Sequence, residues 1–291
     1  MVLFFRYLAS GSSFNKLSYN YLIDASTIRK IVKRTCTEIW NILQPILMPE
    51  ISDEGWLHIS EQFYKNTHFP NIIGAINGKH IRIIQPQMTG SEFFNYKKFF
   101  SVVLMAWVDA DYQFVYIDVG ANGAAGDSSV FNNSNMGIKL RQNLLNISKD
   151  RTLPNDPNGK PMPFCLVADE AFGLSRHILR PFGKKTLTPI KKIYNQRKTT
   201  VRRMVECTFG ILANKWRIFH RPIDVSIDFL NTIIKSCCVL HNFVRKRDGI
   251  DFTDTAYQCP LQSVNIEPHD RTISAVNTHI ANVIHGYIFD I

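Results

Sequence analysis

Residues 101–119 read SVVLMAWVDADYQFVYIDV. Two runs rich in β-branched and aromatic residues, Ser101–Val108 and Gln113–Val119, flank Asp109, Ala110, Asp111 and Tyr112. Runs of this length around Asp-rich turn residues predict a hairpin. Just upstream, Gly74–Ile84 (GAINGKHIRII) alternates in its second half, as a half-buried strand does. Together these make a three-stranded meander. Downstream, Ser128–Asn146 predicts a helix after a Gly-Asp turn. Met162–Ala168 (MPFCLVA) is a short continuous apolar run that suits a central strand buried on both faces. Thr199–Phe219 and Phe229–Lys246 predict long helices.

In front of the meander, residues 3–48 read as helices. Ser13 precedes a short one, and Asp24 or Ser26 caps a longer one carrying Ile28, Ile31, Val32, Thr35 and Ile39 at helical spacing. Two short helices, a turn at Ile23–Ala25 and a helix bearing Arg29, Lys30, Lys33 and Arg34 outline a helix-turn-helix. An ordinary helical hairpin packed on the main domain fits the same residues equally well. Pro45–Pro49 is expected to end that helix, and a short helix around Trp56–Lys65 follows.

The order is helices, three strands, helix, strand, helices. A meander followed by a helix and a buried strand is how a ribonuclease-H-like mixed α/β core begins, and another α/β sheet with similar element order fits the same pattern. The expected organisation is a helical, helix-turn-helix-like DNA-binding segment at 1–48, a helical connector at 49–71, the α/β catalytic domain at 72–247, and an acidic appendage at 248–291.

Composition narrows the classes. The chain has 291 residues, 45% hydrophobic and 20% charged, which excludes wholesale disorder. No apolar run approaches the ~18 residues that a membrane helix needs. The opening MVLFFRYLAS has no basic leader and too short an apolar stretch for a signal peptide. Six scattered cysteines read as reduced intracellular thiols. The net charge of +10 favours polyanionic partners, and it is unevenly placed. Lys184–Arg221 holds eleven Lys/Arg and one acid, Glu206, interleaved with Tyr194, Phe209, Trp216 and Phe219. That block is a phosphate-contacting surface or a solvated basic helix face. From Asp248 onward six acids meet one base, Arg271.

Metal-assisted phosphodiester chemistry needs carboxylates that converge, because Mg²⁺ takes oxygen ligands and two ions together activate water and stabilise the leaving oxygen. Asp169 directly follows the buried run FCLVA. Glu206 lies mid-helix, one turn after Arg202 and Arg203, on a helix held inward by Val201, Val205, Phe209, Leu212 and Trp216. Asp127 sits in a Gly-Ala-Ala-Gly-Asp turn that opens a helix. Each has a plain structural role open to it: helix cap for Asp127, turn residue for Asp169, ion-pair partner of Arg202 for Glu206.

At these residues the chain resembles the Harbinger-type DDE transposases and the nuclease derived from them. The pieces are YLASGSSFNKLS and ASTIRKIV, then GAINGKHIRI, FFNYKKFFSVVLMAWVDADYQFVYIDVGANGAAGDSSVFNNS, CLVADEAFGL, RRMVECTFGILANKWRIF and VLHNFVR, in order across residues 3–247. The resemblance implies a ribonuclease-H-like core behind a helical DNA-binding segment, and DNA cleavage dependent on Mg²⁺ or Mn²⁺. It implies a nuclear address, with the cytoplasm as the alternative, double-stranded DNA as partner and a separate Myb-like DNA-binding protein. The sequence leaves the oligomeric state open, with a homodimer as one alternative. Its acidic positions fall on Asp127 of GDSSVF, Asp169 of VADEAF and Glu206 of VECTFG. Asp169 and Glu206 are then expected to hold the ions with Asp127 in support. Arg202, Arg203, Lys215 and Arg217 are expected to track phosphates, and Arg29, Lys30 and Lys33 to position DNA.

The first acid of the family's Ile-Asp-Gly-x-His motif is missing: the chain reads Ile76-Asn77-Gly78-Lys79-His80. An amide ligates a cation weakly and cannot bridge two divalent ions. Loss of one preorganised electrostatic group predicts at least ~10²-fold lower turnover. Compensation by Asp118 on the third strand is the less favoured alternative. The competing expectation is a non-catalytic DNA- or protein-binding module with a vestigial site. Cys237, Cys238 and His241 are spaced for zinc but lack a second ligand pair, so they read as core. GANGAAG (120–126) lacks the Lys-Ser/Thr of a phosphate loop and reads as a turn.

Overall fold

The computed structural model describes residues 1–154, 156–183 and 187–249. Four helices come first: α1 (Val2–Ser10), α2 (Phe14–Tyr21), α3 (Ala25–Leu47) and α4 (Asp53–Thr67). Strands β1 (Ile72–Arg82), β2 (Ser101–Val108) and β3 (Phe114–Asn122) follow, then α5 (Asp127–Asn133), α6 (Asn135–Arg141), β4 (Cys165–Val167) and β5 (Ile178–Leu179). The long helices α7 (Pro189–Lys215) and α8 (Ile227–Asp248) come last, separated by a 3₁₀ turn at Arg217–His220.

The protein is mixed α/β, with one five-stranded sheet in the order β3-β2-β1-β4-β5. β1, β2 and β3 pair antiparallel as the expected meander, while β4 and β5 add parallel to it. Asp109 closes the hairpin turn by accepting from the Asp111 and Gln113 amides at 2.9 and 2.8 Å. Every residue of β2 is buried, because both faces of the sheet are covered. Leu104, Ala106 and Val108 enter the core formed with α7 and α8, whereas Val103, Met105 and Trp107 pack with Val130, Phe131 and Met136 of α5 and α6.

The front helices share the first of these cores. Phe4, Leu8, Leu17, Ile28 and Val32 are buried with Phe229, Leu230, Ile233 and Ile234 of α8. The Ser236 hydroxyl of α8 donates to the Cys36 carbonyl of α3 at 2.7 Å. Asp24, not Ser26, caps α3, accepting from the Ser26 amide at 2.8 Å.

α3 ends inside the expected Pro45–Pro49 break, running through Pro45 to Leu47; a proline in the last turn forfeits one backbone bond, and the Met48 amide still closes on Gln44 at 2.8 Å. Two expectations are corrected. The single helix expected over 128–146 is two, because Ser134 ends one and caps the next, donating to the Phe131 carbonyl at 2.6 Å and accepting from the Gly137 amide at 3.1 Å. α7 begins ten residues earlier than expected, at Pro189, with Thr188 as its cap. The acidic appendage, from residue 250 on, lies outside the described residues.

Candidate active site

β4 pairs with β1 only as far as Val167 opposite Ala75. Beyond that point the β4-side edge of β1 is open until Ile83 meets Ile223. Asp169 leaves the end of β4 two residues later and therefore emerges beside this gap. Its Oδ1 accepts from the Ala171 amide at 2.9 Å, which sets the turn.

The gap holds Asn77 and Gly78. Asn77 Oδ1 accepts from the Gly78 amide at 2.8 Å, so its one carbonyl oxygen already has a donor. Gly78 is required by contact: a Cβ there would overlap the carboxyl of Asp127. Asp127 is the first residue of α5, whose cap position is Gly126, and it makes no side-chain capping bond. It is therefore not the helix cap. Burial raises the Asp127 pKa, and the charge of Asp169 raises it further, while the Gly78 amide and Lys97 pull it down. Asp127 and Asp169 are thus close enough to repel each other, and the Gly78 amide is the point where Asn77 and Asp127 meet.

α7 supplies the opposite wall. It packs against β1, where Lys79 Nζ lies 5.7 Å from the Phe209 ring centre. Lys198, Arg202 and Glu206 follow at i, i+4 and i+8 and form one stripe. Arg202 Nη2 is 3.3 Å from Glu206 Oε1, so the ion pair is formed. Arg202 Nε is buried without a hydrogen-bond partner. Lys198 is only 2% exposed. Burial lowers its pKa to about 8, as does Arg202, against the charges of Asp169, Glu170 and Glu206.

The expected site residues therefore fall into groups. Asp127 and Asp169 lie within electrostatic reach of each other beside Asn77, whereas Glu206 on α7 is paired with Arg202. Asp118 stays apart, its nearest opposite charge being Lys235 of α8. Among the described residues no three His, Cys, Asp or Glu side chains are gathered closely enough to cage a metal ion. The close pair, Asp127 and Asp169, matches the one or two carboxylates by which Mg²⁺ is held when waters and phosphate fill its other positions. Arg202 and Arg203 are half-buried beside Glu206, whereas Lys215 and Arg217 lie at the end of α7, the first of them about 14 Å along its axis. Arg29, Lys30 and Lys33 are exposed on α3, with the Arg29 guanidinium 4.9 Å over the Phe14 ring.

Sequence reasoning missed two residues. Gly78 was passed over as part of a motif, although a glycine inside a strand signals close approach. Lys198 was read as one of a basic run; its spacing from Arg202 and Glu206 was the available signal. His80, beside the motif, donates to or accepts from the Ser101 hydroxyl at 2.9 Å and packs between the Tyr96 and Phe99 rings. Cys237, Cys238 and His241 are buried core, with His241 bound to the Tyr112 carbonyl at 2.7 Å.

The fold is that of a mixed α/β protein, with Asp169 just beyond β4 and Asp127 at the start of α5 beside an open sheet edge. The chain belongs to the DDE superfamily endonuclease family, whose model matches residues 76–242. It is 28% identical to "Protein ALP1-like" of Arabidopsis thaliana over 255 residues, covering 82% of this chain and 58% of that protein. It is 22% identical over 207 residues to "Putative nuclease HARBI1" of Rattus norvegicus, covering 70% of this chain and 54% of the relative. The protein of the same name in Homo sapiens is 20% identical over 216 residues, or 73% of this chain. The chain thus spans little more than half the length of these relatives. No solved structure matches it. No helix among the described residues is long and apolar enough to cross a membrane.

Proposed function

We propose that this protein is a metal-dependent DNA endonuclease derived from a Harbinger transposase, with a ribonuclease-H-like core whose site is weakened at Asn77. The observation that carries the reading is Asp127 seated over Gly78 at the open edge of β1 and within electrostatic reach of Asp169, with the Arg202–Glu206 ion pair on α7. Two carboxylates held close against their mutual repulsion are a cation site in waiting.

Asp127 and Asp169 are the residues that would hold a Mg²⁺ or Mn²⁺ ion, which when bound would polarise a phosphate oxygen and lower the pKa of a water. Glu206, paired with Arg202, would orient the attacking water. The unpartnered Arg202 Nε has a free proton for a phosphate oxygen. Asn77, a neutral group already engaged by the Gly78 amide, adds little charge to the site. Double-stranded DNA is the substrate. Arg203 and Lys215 on α7 and Arg217 on the 3₁₀ turn after it track its backbone, with Arg29, Lys30 and Lys33 from α3. The protein works in the nucleus, as a homodimer alongside a Myb-like DNA-binding partner.

The Asn77 amide favours one rival, a DNA- or protein-binding module without catalysis. The deciding assay is nicking of supercoiled DNA in Mg²⁺ and in Mn²⁺ by the natural chain, Asn77→Asp and Glu206→Gln. Nicking by Asn77→Asp at least ~10²-fold above the natural chain, and absent in Glu206→Gln, supports a weakened nuclease. No nicking by any of the three supports the binding module.

A further inference from the structure

We propose that the Tyr96 ring, at the tip of the turn that leads from β1 into β2, stacks on an unpaired DNA base beside the Asp127 carboxyl, so that the protein favours DNA with unpaired bases over intact duplex. The inference rests on the reading of DNA as substrate above and adds which form of DNA the site takes.

The turn reads FFNYKKFF at 93–100. Asn95 is buried and braces it. Its Oδ1 accepts from the Lys97 and Phe99 amides at 2.9 and 3.3 Å, and its Nδ2 donates to the Ser101 hydroxyl at 2.8 Å. The Asn95 amide donates to the Phe99 carbonyl at 2.9 Å, and Phe94 and Phe100 form a bridge across the base of the turn. A turn tied this often keeps its shape before any ligand arrives. Its tip nevertheless carries an aromatic ring that is 78% exposed. Tyr96 meets only the edge of His80, at 5.6 Å between ring centres, and the Lys97 ammonium at 5.3 Å. A ring on a rigid tip, with two side-chain torsions to fix, gives up little entropy on binding.

The tip stands at the candidate site. Gly78 and His80 are two apart on β1, so they share a face and lie about 7 Å apart. The Asp127 carboxyl sits over Gly78, and Tyr96 meets His80. The loop that delivers Asp127 is docked on the turn: the Ala124 amide donates to the Glu92 carbonyl at 3.2 Å, and a Cβ on Gly123 would overlap the Ser101 hydroxyl and the Phe93 carbonyl. Ring and carboxyl are therefore held on the order of 10 Å apart.

The surrounding chemistry selects the ligand. Lys97 and Lys98 are exposed, and the Arg82 guanidinium lies 4.6 Å over the Phe99 ring at the base of the turn. Residues 93–100 contain no acid. These cations suit the phosphates of any DNA, but an aromatic face asks for more. Inside a duplex each base is covered on both faces by its neighbours. Tyr96 gains a stacking partner only when a base leaves the stack, while the lysines beside it hold the strand.

The test compares two labelled DNAs on the full chain by fluorescence anisotropy in EDTA: a duplex, and the same duplex with a central two-base mismatch. The natural chain is expected to bind the mismatched DNA about tenfold more tightly. Tyr96→Ala should bring that ratio to about one, and Tyr96→Trp should keep it. Lys97→Ala should weaken both DNAs alike and lower the salt slope by about one. A 2-aminopurine in the mismatch should be quenched by the natural chain and not by Tyr96→Ala. Equal binding of the two DNAs by the natural chain, or a ratio that survives Tyr96→Ala, overturns the proposal and leaves the nuclease reading standing. A ratio that depends on Tyr96 in a chain that never nicks DNA upholds the stacking and overturns the nuclease reading instead.

Discussion

The two long helices that cover one face of the sheet treat buried polar groups differently. On α8 most are closed, although Asn231 Oδ1 is buried without a partner. Asn242 accepts from the Phe114 amide at 2.8 Å and donates to the Phe114 and Leu47 carbonyls at 2.8 and 3.1 Å. His241, Ser236 and Arg245 each reach a backbone carbonyl. On α7, Lys198 is only 2% exposed, and Arg202 keeps an unpartnered Nε. A helix that ties most of its buried polar groups to the backbone serves the fold. One that leaves an arginine nitrogen unsatisfied beside an acid holds interaction energy in reserve for a ligand.

The contrast can be broken from the α8 side first. Asn242→Ala leaves three backbone groups without partners in a site 1% exposed, and we expect a loss of about 4 kcal/mol in the denaturant midpoint analysis. Retention of near-natural stability would end the claim that α8 is the structural helix. The same helix sets an acid limit. Burial pushes His241 down to about 4 from its ordinary 6.5. The folded state holds the ring neutral while the unfolded chain takes up a proton, so stability is complete above about pH 6.5 and falls as pH drops toward 4, by about 3 kcal/mol. Urea melts of the natural chain and His241→Gln between pH 4 and 7 measure this, and equal slopes would refute it.

On α7 the expected sign reverses. Lys198→Met removes a buried charge whose acidic neighbours are partly exposed, and should stabilise the protein by about 1 kcal/mol at neutral pH while impairing DNA cleavage. A destabilised variant would place Lys198 among the structural groups. The smallest effect belongs to neither helix. Arg29→Ala on α3 should reduce the salt slope of DNA binding by about one unit, uniformly across sequences. An unchanged slope would remove α3 from the DNA-contacting surface.

The meander was legible because its strands are long and their composition is unambiguous; β2 lies at the bounds its sequence suggests. β5 was invisible, since two residues carry no period. The break between α5 and α6 was hidden because apolar periodicity persists through it, although Ser134 followed by Gly137 is a cap and a contact point. The acids could be found one by one. Their grouping could not, because Asp127 reaches Asp169 only through the space that Gly78 leaves and the early end of β4. Lys198 was concealed by its neighbours: in a run of basic residues the chain does not announce which one turns inward.

That early end of β4 also has a history in time. The first β1–β4 partners, Ile72 and Cys165, are about 90 residues apart. At ~5–20 residues per second, a ribosome needs roughly 5–20 seconds to deliver the second after the first. The meander can close meanwhile, since its turns are local, but β1 then waits with one raw edge and apolar residues such as Ile73 and Ile76 uncovered. The edge that later borders the candidate site is, during synthesis, the one most open to a stray strand.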